Sequence, residues 1–79
     1  MLSISLINQK MKITTNRISR YPLPEGGFFE YDIDVLGKML YGRIFDSNGR
    51  RLATARQAIW PWTKLMTPEE MFRKVLAKL

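Results

Sequence analysis

The chain has 79 residues, a formal net charge of +6, and neither cysteine nor histidine. That length bounds it to one domain with a modest core and no room for a deep catalytic cleft. The missing residue types exclude disulfides, thiolate metal sites and Ser-His or Cys-His nucleophile pairs, and they remove the usual general base.

Leu2, Ile4 and Leu6 alternate with Ser3 and Ser5, the pattern of a short strand. The run is too short for a membrane span, and no charge precedes it as a signal peptide would require. Met11 offers an alternative start, so residues 1–10 are expected as an N-terminal arm or an extra edge strand. Residues 12–20, with Ile13, Thr14, Thr15 and Ile18, predict an edge strand. Lys12, Arg17 and Arg20 would guard that edge against pairing with other chains. Tyr21-Pro22-Leu23-Pro24-Glu25-Gly26-Gly27 reads as a loop. Its Gly-Gly pair lacks the Lys-Ser/Thr and helix start of a phosphate loop, so it reads as a linker.

Residues 27–59 read as two hairpins in series, a three-stranded antiparallel meander. In the first, Gly37 and Lys38 are expected at a type II′ turn with Gly37 at positive φ. Val35 then faces Leu40, Asp34 faces Tyr41, Asp32 faces Arg43 and Tyr31 faces Ile44. In the second, Asn48-Gly49 predicts a type I′ turn. Asp46 then faces Arg51 as an ion pair, Phe45 faces Leu52, Arg43 faces Thr54, and Tyr41 faces Arg56 as a ring under a cation. The two registers agree on the faces. One face collects Phe29, Tyr31, Ile33, Val35, Leu40, Gly42, Ile44, Ala53, Ala55 and Ile59. The other collects Glu30, Asp32, Asp34, Tyr41, Arg43, Phe45, Thr54 and Arg56. Gly42, Ala53 and Ala55 leave a shallow trough on the apolar face where a helix fits.

Pro61 cannot donate to a ladder, so the last strand ends by Trp60. Trp60 and Trp62 are expected as a lid over one end of the core; their functional alternative is an exposed anchor for a partner. Thr67-Pro68-Glu69-Glu70 is a capping box with proline at the first helical position. Met66 and Met71 suit a hydrophobic staple around it. Met71, Phe72, Val75, Leu76 and Leu79 form one apolar stripe, expected in the trough. Burying four or five such side chains at ~1.5–3 kcal/mol each would hold the helix down.

The fold class is therefore α+β: an antiparallel meander of three or four strands with one C-terminal amphipathic helix across one face. Its charge is uneven. Residues 1–26 carry Lys10, Lys12, Arg17 and Arg20 against Glu25; residues 47–79 carry seven cations against Glu69 and Glu70. Residues 27–46 are net acidic, with Glu30, Asp32, Asp34 and Asp46 against Lys38 and Arg43.

Glu30, Asp32 and Asp34 share a face and so have the residue types for acid–base or metal work. Arg43 and Arg56 on the same face balance them as a solvated sheet surface, so no enzyme, no metal and no cofactor are expected. A small basic binding protein is expected instead, with nucleic acid as the first partner. Its contacts would come from Arg43, Arg50, Arg51, Arg56, Arg17 and Arg20. The alternative is an inhibitory or regulatory protein-binding module, of the kind phages and mobile elements carry, with Trp60, Trp62, Tyr41 and Phe45 toward a host protein. A homodimer through an edge strand belongs to the same class. No membrane and no small-molecule substrate are expected, and the cysteine-free composition fits a cytoplasmic location.

Overall fold

The structure, a computed structural model, describes residues 16–79. Expectations for residues 1–10, and for the start of the strand at residues 12–15, lie outside the described residues. The described elements are strands β1 (Asn16–Pro22), β2 (Phe28–Asp34), β3 (Met39–Phe45) and β4 (Arg51–Ala58), then helix α1 (Pro68–Leu76). The strands form one antiparallel sheet in the order β1-β2-β3-β4, with α1 packed on one face. The α+β meander and its C-terminal helix are thus present, with β1 as the fourth strand.

The inner face is built as its residue sizes require. Leu40, Met71 and Val75 are fully buried, and Phe29, Ile44 and Ala55 complete the buried core. Tyr31, Ile33, Ala53, Ile59 and Phe72 pack around it. Gly42 is the floor on which α1 rests. A Cβ there would lie 2.3 Å from Met71 Cγ and 2.8 Å from Val75 Cγ2. The helix begins on the predicted capping box. Glu70 N–H donates to Thr67 Oγ1 at 3.2 Å, and Thr67 N–H donates to Glu70 Oε1 at 2.8 Å. Only the first part of the apolar stripe enters the trough. Leu76, the last residue of the helix, and Leu79 beyond it are exposed.

Both hairpins differ from expectation near their turns. In the first, Asp34 pairs Met39, Asp32 pairs Tyr41, Tyr31 pairs Gly42 and Glu30 pairs Arg43, a shift of two residues. A two-residue shift keeps the strand side chains on their expected faces, but Val35, expected on the inner face opposite Leu40, falls in the loop beyond β2 and is exposed. The cause is the Asp34 carboxylate, which accepts the Gly37 N–H at 2.9 Å and so caps a four-residue loop. Lys38, not Gly37, takes the positive φ, at 53°. In the second hairpin, Tyr41 pairs Arg56 and Arg43 pairs Thr54 as expected, but a bulge then sets Phe45 opposite Arg51 instead of Leu52. Only Gly49 of the turn has positive φ, at 80°, so the turn is of type I followed by a glycine bulge. Asp46 explains this choice. Its carboxylate accepts the N–H groups of Asn48 and Arg50, both at 2.9 Å, instead of pairing with Arg51. Finally, Tyr21 and Pro22 belong to β1 and not to the loop. Proline is tolerated at this strand end, where β1 lies at the border of the described sheet.

Candidate partner-binding surface

The outer face of the sheet is not bare in the way its charges suggested. Alternation brings Ile18 and Arg20 of β1, Phe28, Glu30 and Asp32 of β2, and Tyr41, Arg43 and Phe45 of β3 to this side. Arg43 Nη1 donates to Glu30 Oε1 and to Asp32 Oδ2, both at 2.9 Å. Arg20 Nε donates to Glu30 Oε2 at 3.1 Å. The carboxylates are buried under these cations, Glu30 at 7% and Asp32 at 5% exposure, so the expected solvated face is corrected to a desolvated ion-pair network. Burial by itself would lower the Arg43 pKa. Hydrogen bonds donated to the Asp32 and Glu30 carboxylates overcome that, and the guanidinium is held above its ordinary value. Arg43 also lies over the Tyr41 ring at 4.6 Å, the place expected for Arg56. Phe45 stacks on Phe28 at 4.7 Å, with Arg20 over the far ring. Phe28 was not anticipated as a partner of Phe45, because the first hairpin's register had to be known to bring them opposite.

Arg43, Arg20, Tyr41 and Phe45 are therefore brought together, but they are engaged with one another and with carboxylates. Arg17 is exposed on the opposite side of β1 from Arg20. Arg50 and Arg51 project at the β3–β4 turn, and Arg56 lies exposed on β4. Among the described residues none of Arg50, Arg51 and Arg56 has an ion-pair partner. No cluster of three or more acidic, histidine or cysteine residues is placed to hold a metal ion among them either.

The tryptophans are not a lid. Trp60 is 54% exposed and Trp62 80% exposed. Their rings stack on each other at 6.1 Å with an interplanar angle of 13°. The reason is the turn between them. Thr63 N–H donates to Trp60 O at 2.9 Å, and Trp60 N–H donates to Thr63 Oγ1 at 2.8 Å. Pro61 fixes the backbone at the first corner of this turn. The rings are thereby folded onto each other and away from the core. The turn is held on three sides. Ile59 N–H donates to Lys38 O at 2.9 Å, which ties it to the β2–β3 loop with its exposed Val35 and Leu36. Gln57 Nε2 donates to Lys64 O, and Gln57 Oε1 accepts the Met66 N–H. Tyr31 Oη donates to Met66 O at 2.6 Å from beneath, and burial raises the Tyr31 pKa above its ordinary value. Trp60 and Trp62 thus stand exposed on a braced turn, and Val35 and Leu36 are exposed on the loop that the Ile59–Lys38 bond ties to it.

An open groove of about 300 Å³ lies at the opposite end, between Leu23, Phe45, Leu52, Phe72 and Leu76. A second, of about 590 Å³, runs between Tyr21–Pro24 and the start of α1. No helix among the described residues is long and apolar enough to cross a membrane. Compared with known proteins, the chain matches no family model, no curated protein and no solved structure.

Proposed function

We propose that this protein is a non-enzymatic binding module that regulates or inhibits a partner protein by occupying its surface, with the Trp60-Pro61-Trp62 turn as its anchor. The observation that carries this reading is the mutual stacking of two solvent-exposed tryptophans on a turn fixed by hydrogen bonds. Large apolar rings left in water cost free energy that a partner's pocket recovers, and tryptophan dominates binding hot spots for that reason. A braced turn also loses little conformational entropy on docking. The expected outcome is that Trp60→Ala or Trp62→Ala abolishes capture of the partner from lysate while the melting curve stays unchanged. Retained capture by both variants removes the tryptophans from the interface. These are the chain's only tryptophans, so a fluorescence change on adding the captured partner locates the contact directly.

A second reading, nucleic-acid binding, is favoured by Arg50, Arg51 and Arg56, which are exposed and have no ion-pair partner among the described residues. It uses fewer cations than expected, since Arg20 and Arg43 are bound to carboxylates. Under it, affinity for short DNA or RNA falls steeply with salt, and Arg50→Glu with Arg51→Glu flattens that slope. An unchanged slope in the double variant rejects it.

A further inference from the structure

Among the described residues β4 is an outermost strand of the sheet, and its far backbone edge has no strand beside it. Ile59 N–H donates to Lys38 O, which makes Lys38 and Ile59 a hydrogen-bonded pair across β3 and β4. In an antiparallel ladder such pairs alternate, so residues 53, 55, 57 and 59 point their backbone groups at β3. Thr54, Arg56 and Ala58 then point theirs outward. An independent contact agrees, because Lys74 Nζ reaches round from α1 and donates to Arg56 O at 3.0 Å. Among the described residues the other outward groups of Thr54, Arg56 and Ala58 have no backbone partner. Cations stand on both sides of this edge. Arg56 lies on the outer face and Lys74 on the helix side, with Arg51 at the start of the strand; all are exposed and free of ion pairs among the described residues. The strand runs directly into the tryptophan turn.

Granting the protein-binding reading, we infer that the partner docks an extended, acidic segment along β4, adding a fifth strand whose end meets Trp60 and Trp62. The open edge offers alternating N–H and C=O groups, which another strand matches and a phosphate backbone does not, since phosphates only accept. Successive side chains of the added strand fall on opposite faces, so carboxylates at both parities meet a cation, Arg56 on one side and Lys74 on the other. A second copy of this chain is a poorer occupant, because it would set Arg51 and Arg56 against the same residues of its twin.

The test is selection of random linear peptides on the immobilised full chain, followed by affinity measurement on variants. The central variant is Thr54→Pro. The Thr54 N–H faces outward, so proline removes no bond of the β3–β4 ladder, and the Thr54 hydroxyl has no hydrogen-bond partner among the described residues to lose. Selected peptides are expected to be acidic and rich in β-branched residues, and Thr54→Pro is expected to weaken them at least about tenfold, as loss of a strand-pairing bond plus a steric block would. The paired reversal Arg56→Glu with Lys74→Glu is expected to switch the selection to basic peptides, and it serves if the proline variant does not fold. Selection without acidic bias, recovery of no peptide, or equal binding by Thr54→Pro and by the reversal overturns the strand-addition site. Peptides lost with Trp62→Ala but held by Thr54→Pro overturn the edge and leave the tryptophan reading standing. Peptides lost with Thr54→Pro but held by both tryptophan variants show the edge acting without that anchor and overturn the tryptophan end of the proposal. A preference for oligonucleotides over every peptide, or dimerisation abolished by Thr54→Pro, assigns the edge to those occupants instead.

Discussion

The two faces of the sheet bury residues to a similar depth by opposite chemistry. On the inner face, Leu40, Met71 and Val75 leave water because α1 lies across Gly42. On the outer face, Glu30 and Asp32 leave water under Arg43 and Arg20, with no helix among the described residues involved. The inner face is governed by volume and the outer face by charge balance. It follows that Arg43 and Arg20 on the outer face are part of the fold. Among the described residues no carboxylate answers the cations at the β3–β4 turn and along β4, which leaves them available to a partner.

The largest expected effect tests that distinction. Arg43→Leu strips two buried carboxylates of their shared guanidinium, and it should cost about 3–5 kcal/mol, nearer the lower end because Arg43 keeps some exposure. That is a large share of the ~4–12 kcal/mol expected for a domain of this length. Urea titration should show a lower midpoint with an unchanged slope. Neutralising the carboxylates in the same chain, with Glu30→Gln and Asp32→Asn, should restore most of the loss. A loss below about 1 kcal/mol for Arg43→Leu would return the outer face to an ordinary solvated surface and erase the contrast.

The inner face should respond to volume instead. Met71→Ala removes a fully buried side chain and should cost about 2–5 kcal/mol, whatever the pH. Gly42→Ala adds a methyl group where Met71 Cγ and Val75 Cγ2 already stand, and should cost about 1–3 kcal/mol. The two changes are complementary in shape. Together they should cost less than the sum, because the new methyl group enters the space that Met71 vacates. Strict additivity in a double-mutant cycle would mean that α1 does not rest on Gly42.

How far each face could be read from the residues follows from the same contrast. The inner face was legible, because its apolar alternation, its small residues at Gly42, Ala53 and Ala55, and the capping box at Thr67 are local patterns with periods of two and 3.6. The outer face was legible only as a set of residues. Which acid holds Arg43 depends on a register that the Asp34 cap moved by two, and on desolvation that no single strand reveals. Asp46 overrode Asn-Gly at the second turn in the same way, through a carboxylate accepting backbone N–H groups. The tryptophan turn was misjudged because burial is the common fate of tryptophan, while the Thr63 clasp that turns the rings outward is a tertiary detail of four residues. Arg51 and Arg56 were legible as candidate cations, but that they flank an edge of the described sheet, without an ion-pair partner among the described residues, depends on the strand order.

The smallest expected effect separates charge from volume within the helix layer itself. Hydrogen bonds from the Thr67 backbone and side chain, with Lys64 and Arg73 nearby, hold the Glu70 carboxyl below its ordinary value of 4.5. A carboxyl whose pKa is depressed by folding contributes stability above its unfolded value and loses it as pH falls through the lower, folded one. The Glu70→Gln variant keeps an oxygen for the Thr67 N–H but has no proton to gain in that range. It should melt slightly below the wild type at neutral pH. As pH drops beneath 4.5 the two melting temperatures should converge, since the remaining carboxylates are common to both chains and cancel in the difference. A gap that stays constant through the acid range would assign the cap's contribution to its hydrogen-bond geometry alone, with the charge of Glu70 playing no part in holding α1 on the inner face.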